Sequence, residues 1–411
     1  MTEHCRFCAT PLEQVFVDMG MSPISNDYVA PERANRMEPF YPLKVYVCHE
    51  CFLVQLPAVQ SADAMFRDDY AYFSSVSDSW VEHARRYVEA VSGRFGLGAS
   101  SRVVELASND GYLLQHFVAR GVPVLGVEPC GGVARAAIER GVPTVQDFFG
   151  VPLADRLAGE HGKADLVVGN NVLAHVPDLN DFVGGMKRLL APGGVITMEF
   201  PHLAKLMEFN QFDTIYHEHF SYFSFLSVSR VFAHHGLEMF DVEELPTHGG
   251  ALRIYARHEG DGSRPVVPSV RALRDRERAQ GFGDLEHYRG FEGRVHRTKR
   301  ELLKFLIGAR EAGKRVVGYG APAKGNTLLN YCGVRTDLLD FTVDRAPSKQ
   351  GTLLPGVRIP VYAPEKILEE RPDYVLILPW NIKNEIVEKM AGIRAWGGRF
   401  VVPIPEVEVL D

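Results

Sequence analysis

Residues 214–224 of the chain, TIYHEHFSYFS, concentrate proton donors and acceptors between aromatic residues. Five such side chains fall within seven positions: Tyr216, His217, Glu218, His219 and Tyr222. Histidine titrates near neutral pH, and a carboxylate beside it can hold or orient a reacting group. The stretch is therefore either a satisfied structural network or a proton-transfer site, and these residues alone leave both interpretations open.

Four of the six cysteines form two Cys-x2-Cys pairs, CRFC and CHEC. Each such turn presents two sulfurs on one side, and four thiolates close a tetrahedral zinc site. Because a closed site has no open coordination position, we expect this zinc to stabilise the fold and take no part in chemistry. The expected ligands are Cys5, Cys8, Cys48 and Cys51, whereas Cys130 and Cys332 are expected to be buried packing residues.

The elements that must position these residues follow an alternating pattern. From about residue 100, strands and helices alternate, which predicts a parallel sheet with helices on both faces. A segment rich in Gly, Pro and Ser near residues 258–268 separates this unit from a long polar helix and a second alternating unit. We therefore predict an α/β fold of three domains, with bounds at 1–66, 67–262 and 263–411.

Composition limits the partners that the chain can have. The net charge of −7 argues against a nucleic-acid-binding protein. No apolar run approaches the roughly 20 residues of a membrane helix, and the first residues lack the apolar segment of a signal peptide. We expect a cytoplasmic protein without a membrane partner, and a monomer because no heptad pattern or exposed apolar helix stands out.

The segment VVELASNDGYLL, residues 103–114, predicts a strand, a turn of small residues and a helix, whose backbone amides can face a ligand. It resembles the first motif of class I S-adenosylmethionine methyltransferases, although it has fewer glycines. Glu128 ends the next predicted strand, where a carboxylate accepts hydrogen bonds from ribose hydroxyls. The expected cofactor contacts are Glu105, Ala107, Asn109, Gly111, Glu128, Pro129, Asp147, Phe148, Asn170 and Asn171.

The whole chain resembles one family, the sugar C-methyltransferases that act on nucleotide-linked 4-keto-deoxysugars. The resemblance rests on motifs in order along the chain: CRFC with CHEC, SPISNDYV, YAYFSSVSDSW, ELASNDG, NNVLAHVPD, FDTIYHEHFSYFS, LPTHGG and VVGYGAPAKGNTLLNY. It implies an N-terminal zinc-binding domain, a central class I methyltransferase Rossmann-like domain and a C-terminal Rossmann-like domain. It also implies S-adenosylmethionine and a structural zinc as cofactors.

Carried over by position, the resemblance places a group of residues around the sugar: Tyr70, His175, Tyr216, Glu218 and His219. Methylation of carbon requires loss of a proton next to the ketone, so the site needs a base there and donors at the ketone oxygen. We hypothesise that His219 is the base. Because adjacent strand residues face opposite sides, Glu218 and His219 both reach the substrate only from a turn. His217 differs from some family members and is expected to be peripheral.

The C-terminal segment GYGAPAKGNTLLNY predicts a turn that cradles a pyrophosphate through amides, a helix N-terminus and one ammonium group. The expected substrate contacts are Tyr222, His248, Gly320, Lys324 and Asn326. Trp380 and Asn381, at the end of a later predicted strand, lie beside the same edge and are further candidates for ligand contact. The resemblance favours a thymidine-diphosphate sugar and methylation at C-3, while C-5 stays open.

Three other functions remain at this point. An O-methyltransferase acting on a sugar or natural-product hydroxyl needs a base but no ketone. A zinc-containing scaffold would only bind ligand, and the Tyr-His-Glu-His cluster argues against it. An NAD-dependent sugar oxidoreductase would use the C-terminal glycine loop, but the first loop lacks the G-x-G-x-x-G pattern.

Overall fold

The computed structural model describes residues 3–61 and 73–410. Within these residues the strands form three sheets, of four, seven and six strands. The fold is therefore α/β, as predicted. Tyr70, which the resemblance placed near the sugar, lies outside the described residues.

The four-stranded sheet carries the cysteine-rich part of the chain. Its strands alternate between buried and half-exposed residues, as in YPLKVYV, where Leu43, Val45 and Val47 are buried. The strands pair antiparallel in the order β1-β2-β3-β9. Their bounds are β1 Gln14–Ser22, β2 Tyr41–Val47, β3 Val54–Gln55 and β9 Ser221–Tyr222. The last strand comes from the TIYHEHFSYFS segment, so this segment is built into the N-terminal sheet.

The seven-stranded sheet is the predicted central unit. Its order is β10-β11-β8-β7-β4-β5-β6, parallel from β8 to β6 and closed at the other edge by the antiparallel pair β10 and β11. The strands are β4 Val103–Leu106, β5 Val124–Val127, β6 Thr144–Val145, β7 Ala164–Asn170, β8 Leu190–Pro201, β10 Leu237–Leu245 and β11 Ala251–His258. All four residues of β4 are buried, as expected for a central parallel strand.

Seven helices of the described chain belong with this sheet: α1 Asp78–Phe95, α2 Leu114–Val118, α3 Gly131–Glu139, α4 Val151–His161, α5 Leu179–Leu189, α6 Leu203–Glu208 and α7 Phe225–His234. Local sequence sets several of their ends. The Ser77 hydroxyl accepts a hydrogen bond from the backbone of Trp80 at the start of α1, and Gly96 ends that helix in a left-handed conformation. Ser224 and Ser227 form a reciprocal capping box at the start of α7.

The six-stranded sheet is the second alternating unit, in the order β14-β13-β12-β15-β16-β17. Its strands are β12 Val316–Tyr319, β13 Thr342–Val343, β14 Val361–Tyr362, β15 Tyr374–Ile377, β16 Arg399–Val402 and β17 Glu408–Leu410. Helix α8, Pro268–Gln280, precedes this unit and packs against β10 of the central sheet. The helices that follow are α9 Leu285–Arg289, α10 Phe291–Glu311, α11 Ala323–Cys332, α12 Glu365–Glu370 and α13 Lys383–Lys389. Since β11 ends at His258 and α8 begins at Pro268, the predicted boundary at 262 falls between them.

One hydrophobic cluster joins the N-terminal sheet to the C-terminal unit. It contains Val45 of β2, Phe212 before the TIYHEHFSYFS segment, and Leu328 of α11. The ring of Phe16 in β1 stacks on Phe291 of α10 with centroids 4.5 Å apart. The segment is therefore held between the two outer units. No helix of the described residues combines the length and apolar character that crossing a membrane requires.

Candidate active site

A cavity of about 400 Å³ lies where the three units meet. The carboxyl ends of the central parallel strands form one side, which is where open α/β sheets bind ligands. Residues 322–324, at the start of α11, contribute from the C-terminal unit, and Asn26 contributes from the N-terminal unit. The turn at 214–219 lies between these walls and also lines the cavity.

The turn after β4 forms the central unit's wall. Ala107, Asn109 and Gly111 have φ values of 53°, 49° and 77°, so the backbone turns sharply after the strand. The Glu128 carboxylate accepts hydrogen bonds from the backbone N–H groups of Asn109 and Cys130, at 3.0 and 2.8 Å. A carboxylate has about four acceptor positions, so Glu128 can still accept from a ligand. Burial raises the pKa of Glu128, which lines the cavity as predicted for a ribose contact.

Two predicted cofactor contacts lie behind this wall. Among the described residues that line the cavity, neither Glu105 nor Gly111 is present. Glu105 is fully buried in β4, and burial together with the charge of Glu128 raises its pKa well above its usual range. A Cβ at Gly111 would lie 3.0 Å from the Val142 side chain, so its positive φ and tight packing require glycine. Both residues support the loop and do not line the cavity.

The other predicted cofactor residues lie on the cavity wall: Ala107, Asn109, Pro129, Asp147, Phe148, Asn170 and Asn171. Asn170 ends β7 and is 8% exposed, and within the described chain neither atom of its amide has a hydrogen-bond partner. A buried unsatisfied amide costs free energy unless a ligand completes it. The Nδ2 of Asn171 lies 3.1 Å from the Nε2 of His248. His248, a predicted substrate contact, therefore lies at the same wall. These donors and acceptors fit the adenosine and amino-acid parts of S-adenosylmethionine.

His219 is held in one tautomer. Its Nδ1 lies 2.8 Å from the carbonyl oxygen of Thr214. Because a carbonyl only accepts, Nδ1 carries the proton and Nε2 is left as an acceptor. Burial, reinforced by the nearby His175, lowers the pKa of His219 well below its usual range. A neutral imidazole with a free Nε2 is the form that a general base requires.

Of the two residues before His219, Glu218 lines the cavity and His217 does not. A turn with a hydrogen bond from the His219 N–H to the Tyr216 carbonyl, 2.9 Å long, brings Glu218 and His219 to the cavity together. The Nδ2 of Asn26 donates to the Glu218 carboxylate at 2.7 Å. His217 instead points to the Pro42 carbonyl and does not belong to the described cavity wall, in agreement with the peripheral position expected for it.

His175 completes this wall from a second loop. It ends a short 3-10 turn, Leu173–His175, and its ring lies 4.6 Å from that of His219, centroid to centroid. Burial lowers the pKa of His175 to about 4, and a hydrogen bond with the Glu218 backbone acts in the opposite direction. Tyr216 also packs on His219, with centroids 4.0 Å apart. The structure therefore brings four of the five predicted sugar-proximal residues together, the fifth being the undescribed Tyr70.

The C-terminal unit places a half-buried cation in the cavity wall. The ammonium of Lys324 donates to Asn381 Oδ1 at 2.6 Å and lies 4.6 Å from the centroid of the Trp380 ring. The Trp380 indole in turn donates to Asp213 at 2.7 Å. Burial lowers the pKa of Lys324 and raises that of Asp213 to about 6. Trp380 thus contacts Asp213, which directly precedes the turn at 214–219.

Three other predicted substrate contacts do not line the cavity in the part of the chain that the structure describes: Tyr222, Gly320 and Asn326. Tyr222 pairs with Val54 as β9, which directs it into the N-terminal sheet. The Asn326 amide donates to the Ser25 carbonyl at 2.6 Å, so it joins two units instead. The N–H of Gly320 is bonded within the C-terminal sheet.

The four predicted zinc ligands form one cluster. Their sulfur atoms all lie within 4.8 Å of one another, with Cys5–Cys51 and Cys8–Cys48 separations of 3.6 and 3.5 Å. Zinc–sulfur bonds of about 2.3 Å in a tetrahedron place sulfurs about 3.8 Å apart. The cluster therefore fits a zinc ion with four thiolate ligands and no open position.

Three family models match successive parts of the chain: a zinc binding domain at residues 5–66, a methyltransferase domain at 80–242 and a C-methyltransferase C-terminal domain at 246–405. The C-methyltransferase NovU of Streptomyces niveus is 38% identical over 409 residues, which cover all of this chain and 97% of NovU. The chain belongs to this family of C-methyltransferases.

Two further similarities each cover half of this C-methyltransferase or less. A ubiquinone biosynthesis O-methyltransferase of Psychrobacter cryohalolentis is 30% identical over 129 residues, which are 29% of this chain and 50% of that protein. A solved S-adenosylmethionine-dependent methyltransferase from Anabaena variabilis matches 50% of this chain and 100% of its own length, with 16% identity and a TM-score of 0.38. S-adenosylmethionine and zinc are the cofactors of the enzyme, as predicted.

Sequence reasoning missed several residues of this C-methyltransferase site. Asn26 and Trp80 line the cavity and lie in motifs that carried the family resemblance, SPISNDYV and YAYFSSVSDSW. Lys349 also lines it, and its ammonium donates to the Ala321 carbonyl at 2.9 Å. Nothing in the sequence around Lys349 distinguishes it from an ordinary surface lysine.

A buried network behind His248 was also not predicted. Glu199 of β8 is fully buried and accepts hydrogen bonds from His83, Arg253 and Thr247 at 2.9, 2.8 and 3.1 Å. These bonds and nearby charges lower the pKa of Glu199 against the opposing effect of burial. Because Thr247 precedes His248, the network fixes the loop that carries this cavity residue.

Proposed function

We propose that this C-methyltransferase removes a proton from the carbon next to the ketone of a nucleotide-linked 4-keto-deoxysugar and methylates that carbon. Thymidine diphosphate is the nucleotide favoured by the family resemblance, and C-3 the position. The single observation that carries the proposal is the neutral, oriented His219, whose Nε2 is an acceptor in a cavity shared by the cofactor wall and the half-buried cation Lys324.

Proton removal is the first step that these residues support. Nε2 of His219 takes the proton from the carbon, and the electron pair of the C–H bond moves toward the ketone oxygen. Tyr216 and His175 are the groups that we assign to hydrogen bonding with this oxygen or a neighbouring hydroxyl, which stabilises the enolate. Glu218, oriented by Asn26, holds the sugar beside the base.

Methyl transfer follows in the same enclosed space. Bound S-adenosylmethionine supplies a methyl group on a positively charged sulfur, which becomes a neutral thioether when the enolate carbon takes the methyl group. Glu128, Asn170 and Asp147 are the residues to which we assign cofactor binding.

The nucleotide end of the substrate is assigned to the C-terminal unit. Lys324 and Lys349 both line the cavity there, beside the N-terminus of α11. Ammonium groups and helix N-terminal amides bind phosphate oxygens. A diphosphate would also restore charge balance to Lys324, whose pKa burial lowers.

The position of a transferred label tests the proposal. The enzyme is incubated with a thymidine-diphospho-4-keto-deoxysugar and methyl-labelled S-adenosylmethionine, and the product is examined by NMR. We expect the labelled methyl group on the carbon next to the ketone, which re-forms when the enolate carbon is methylated. A label on oxygen would contradict the proposal and favour an O-methyltransferase.

The variant His219→Asn tests the base. General bases contribute about 10²- to 10⁴-fold, so we expect kcat to fall by about three orders of magnitude. The dissociation constant for S-adenosylmethionine, measured by calorimetry, should stay within about twofold, because His219 is not assigned to cofactor binding. Full activity of the variant would show that another group removes the proton.

A further inference from the structure

The first cysteine knuckle, residues 5–8, lies against the central unit at the ends of two helices. The Asn180 side chain, in the first turn of α5, donates to the Phe7 carbonyl at 2.9 Å. The Phe7 ring packs edge-on against the ring of His234 at the end of α7, with centroids 5.4 Å apart. The knuckle is thus fixed beside the two loops that carry His175 and His219.

Arg6 reaches both of these loops from inside the knuckle. One guanidinium nitrogen donates to the Pro177 carbonyl at 2.9 Å, and a second donates to the Leu56 carbonyl. The guanidinium carbon lies 5.2 Å from the centroid of the Phe220 ring. Pro177 is two residues after His175, and Phe220 directly follows His219. A planar guanidinium makes such simultaneous contacts with little loss of freedom per bond.

Backbone hydrogen bonds join the same loops to the zinc-binding unit. The N–H of Phe220 donates to the Ala174 carbonyl at 2.7 Å, and the N–H of Leu56 donates to the Phe220 carbonyl at 3.0 Å. Gln55, next to Leu56, donates its side-chain amide to the Cys5 sulfur at 3.1 Å. A continuous path of bonds therefore connects a zinc ligand to the residues beside both histidines.

We propose that Arg6 is a positioning residue for proton abstraction: it fixes the His175 and His219 loops relative to each other so that His219 faces the substrate carbon. The proposal rests on the proposed function, in which His219 is the base. A displacement of about 1 Å in a reacting group costs about 100-fold in rate. Loss of Arg6 should therefore lower the rate of proton removal and leave binding of S-adenosylmethionine unchanged.

Arg230 is a matched control for the same kind of contact. Its guanidinium donates to the Glu50 carbonyl at 3.1 Å and lies 5.3 Å from the centroid of the Phe52 ring. It therefore holds the second knuckle, in the way that Arg6 holds the first, but its contacts do not include the loops of His175 and His219. If arginine–knuckle contacts only stabilise the zinc-binding unit, the two arginines should have similar effects.

The experiment compares the full-length variants Arg6→Met, Arg6→Lys and Arg230→Met with the wild-type enzyme. Zinc content, the dissociation constant for S-adenosylmethionine, kcat and KM are measured for each. Proton removal is followed separately, as deuterium uptake from D₂O into a thymidine-diphospho-4-keto-deoxysugar without S-adenosylmethionine. For Arg6→Met we expect wild-type zinc content and cofactor affinity, with kcat and deuterium uptake lowered about 10- to 100-fold.

The remaining variants decide between positioning and general stability. Arg6→Lys should recover part of the rate, since an ammonium can still donate to one of the two carbonyls, and Arg230→Met should stay within about twofold of wild type. Unchanged deuterium uptake in Arg6→Met, loss of its zinc, or an equal loss in Arg230→Met would overturn the proposal. Methylation of oxygen by the wild-type enzyme would instead contradict the proposed function, and the kcat ratio of Arg6→Met to Arg230→Met would still test the role of Arg6.

Discussion

The central and C-terminal sheets hold the turn after an inner strand with the same hydrogen-bonding arrangement. In the central sheet, Glu128 at the end of β5 accepts from the backbone of Asn109, in the turn after β4, and from Cys130. In the C-terminal sheet, Asp344 at the end of β13 accepts from Ala321, in the turn after β12, at 2.7 Å and from Ala346 at 2.8 Å. In both sheets, a carboxylate at the end of the neighbouring strand fixes a turn that faces the ligand edge.

The two turns differ in what occupies the space beside them. Glu128 lines the central cavity, whereas the N-terminal unit covers the turn near Asp344. The Tyr28 hydroxyl donates to the Ala321 carbonyl, and the ammonium of Lys349 lies 5.3 Å from the centroid of the Tyr28 ring. The carboxyl edge of the central sheet thus serves as a ligand site, whereas that of the C-terminal sheet combines a docking contact at Ala321 with cavity residues such as Lys324. This contact also argues against an NAD site on the C-terminal loop.

The largest expected difference between the two sheets is in S-adenosylmethionine affinity, when Glu128 and Asp344 are each replaced by alanine. Hydrogen bonds to charged groups contribute about 1.5–3 kcal/mol each, so the loss of two ribose contacts in Glu128→Ala should weaken S-adenosylmethionine binding about 100-fold. Asp344→Ala should leave that affinity within about twofold. Calorimetric titration of both variants measures the difference. Equal affinities in the two variants would show that the sheets do not differ in this way.

The two cavity lysines of the C-terminal unit should differ in a second, smaller way. Lys324 donates to the neutral amide of Asn381 and lies over Trp380, whereas Lys349 lies 3.9 Å from the Asp344 carboxylate, which already offsets its charge. Charge-assisted hydrogen bonds in enclosed sites are the stronger ones, so Lys324→Met should raise the KM for the nucleotide sugar about 30-fold. For Lys349→Met we expect a rise of about fivefold.

Steady-state kinetics at saturating S-adenosylmethionine tests this order. The dissociation constant for S-adenosylmethionine serves as the control and should not change in either variant. A larger effect of Lys349→Met would place the phosphate groups nearer to the Tyr28 contact than to Lys324.

Features formed within one turn or at the edge of one sheet were predictable from the sequence. The Cys-x2-Cys spacing defines a thiolate cluster, because each turn fixes its own two sulfurs. The turn after β4 and the carboxylate Glu128 follow from the alternation of strand and helix, since the carboxyl ends of parallel strands meet at one edge. Glu218 and His219 were expected to need a turn in order to act together, and the structure has one there.

Contacts between units were not predictable. The hydrogen bond from Asn26 to Glu218 joins residues 192 positions apart, and only the packing of whole domains brings them together. The sequence assigned Tyr222 to the substrate, but among the described residues it does not line the cavity: it lies in the N-terminal sheet, and its ring packs edge-on against that of His219. Glu105 matched a cofactor motif, but its side chain lies in the core of β4.

The pH dependence of the rate should be weak on the acid side. The base must be neutral, and burial with His175, His248 and Lys324 nearby lowers the pKa of His219 well below 6.5. Activity is therefore retained as the pH falls through 6.5 and is lost only below the lowered pKa. We expect kcat to change by no more than about twofold between about pH 8 and pH 6. An acid-side inflection near pH 6.5 in the kcat profile would contradict this environment for His219.

The smallest expected effect comes from the Tyr28 hydroxyl, which contacts the turn after β12. Burial raises the pKa of Tyr28, so the hydroxyl remains a donor to the Ala321 carbonyl at neutral pH. Tyr28→Phe removes this donor and keeps the ring, which should lower the free energy of unfolding by about 1 kcal/mol. Thermal unfolding measures the loss, with zinc content and S-adenosylmethionine affinity unchanged.

An unaltered melting temperature would instead assign the docking to the Asn326–Ser25 bond and the Val29–Leu353 bridge, which the variant leaves in place. Neither of these contacts involves the Tyr28 hydroxyl. The variant therefore separates the contribution of the hydroxyl's hydrogen bond to stability from that of the ring, which still packs over the turn.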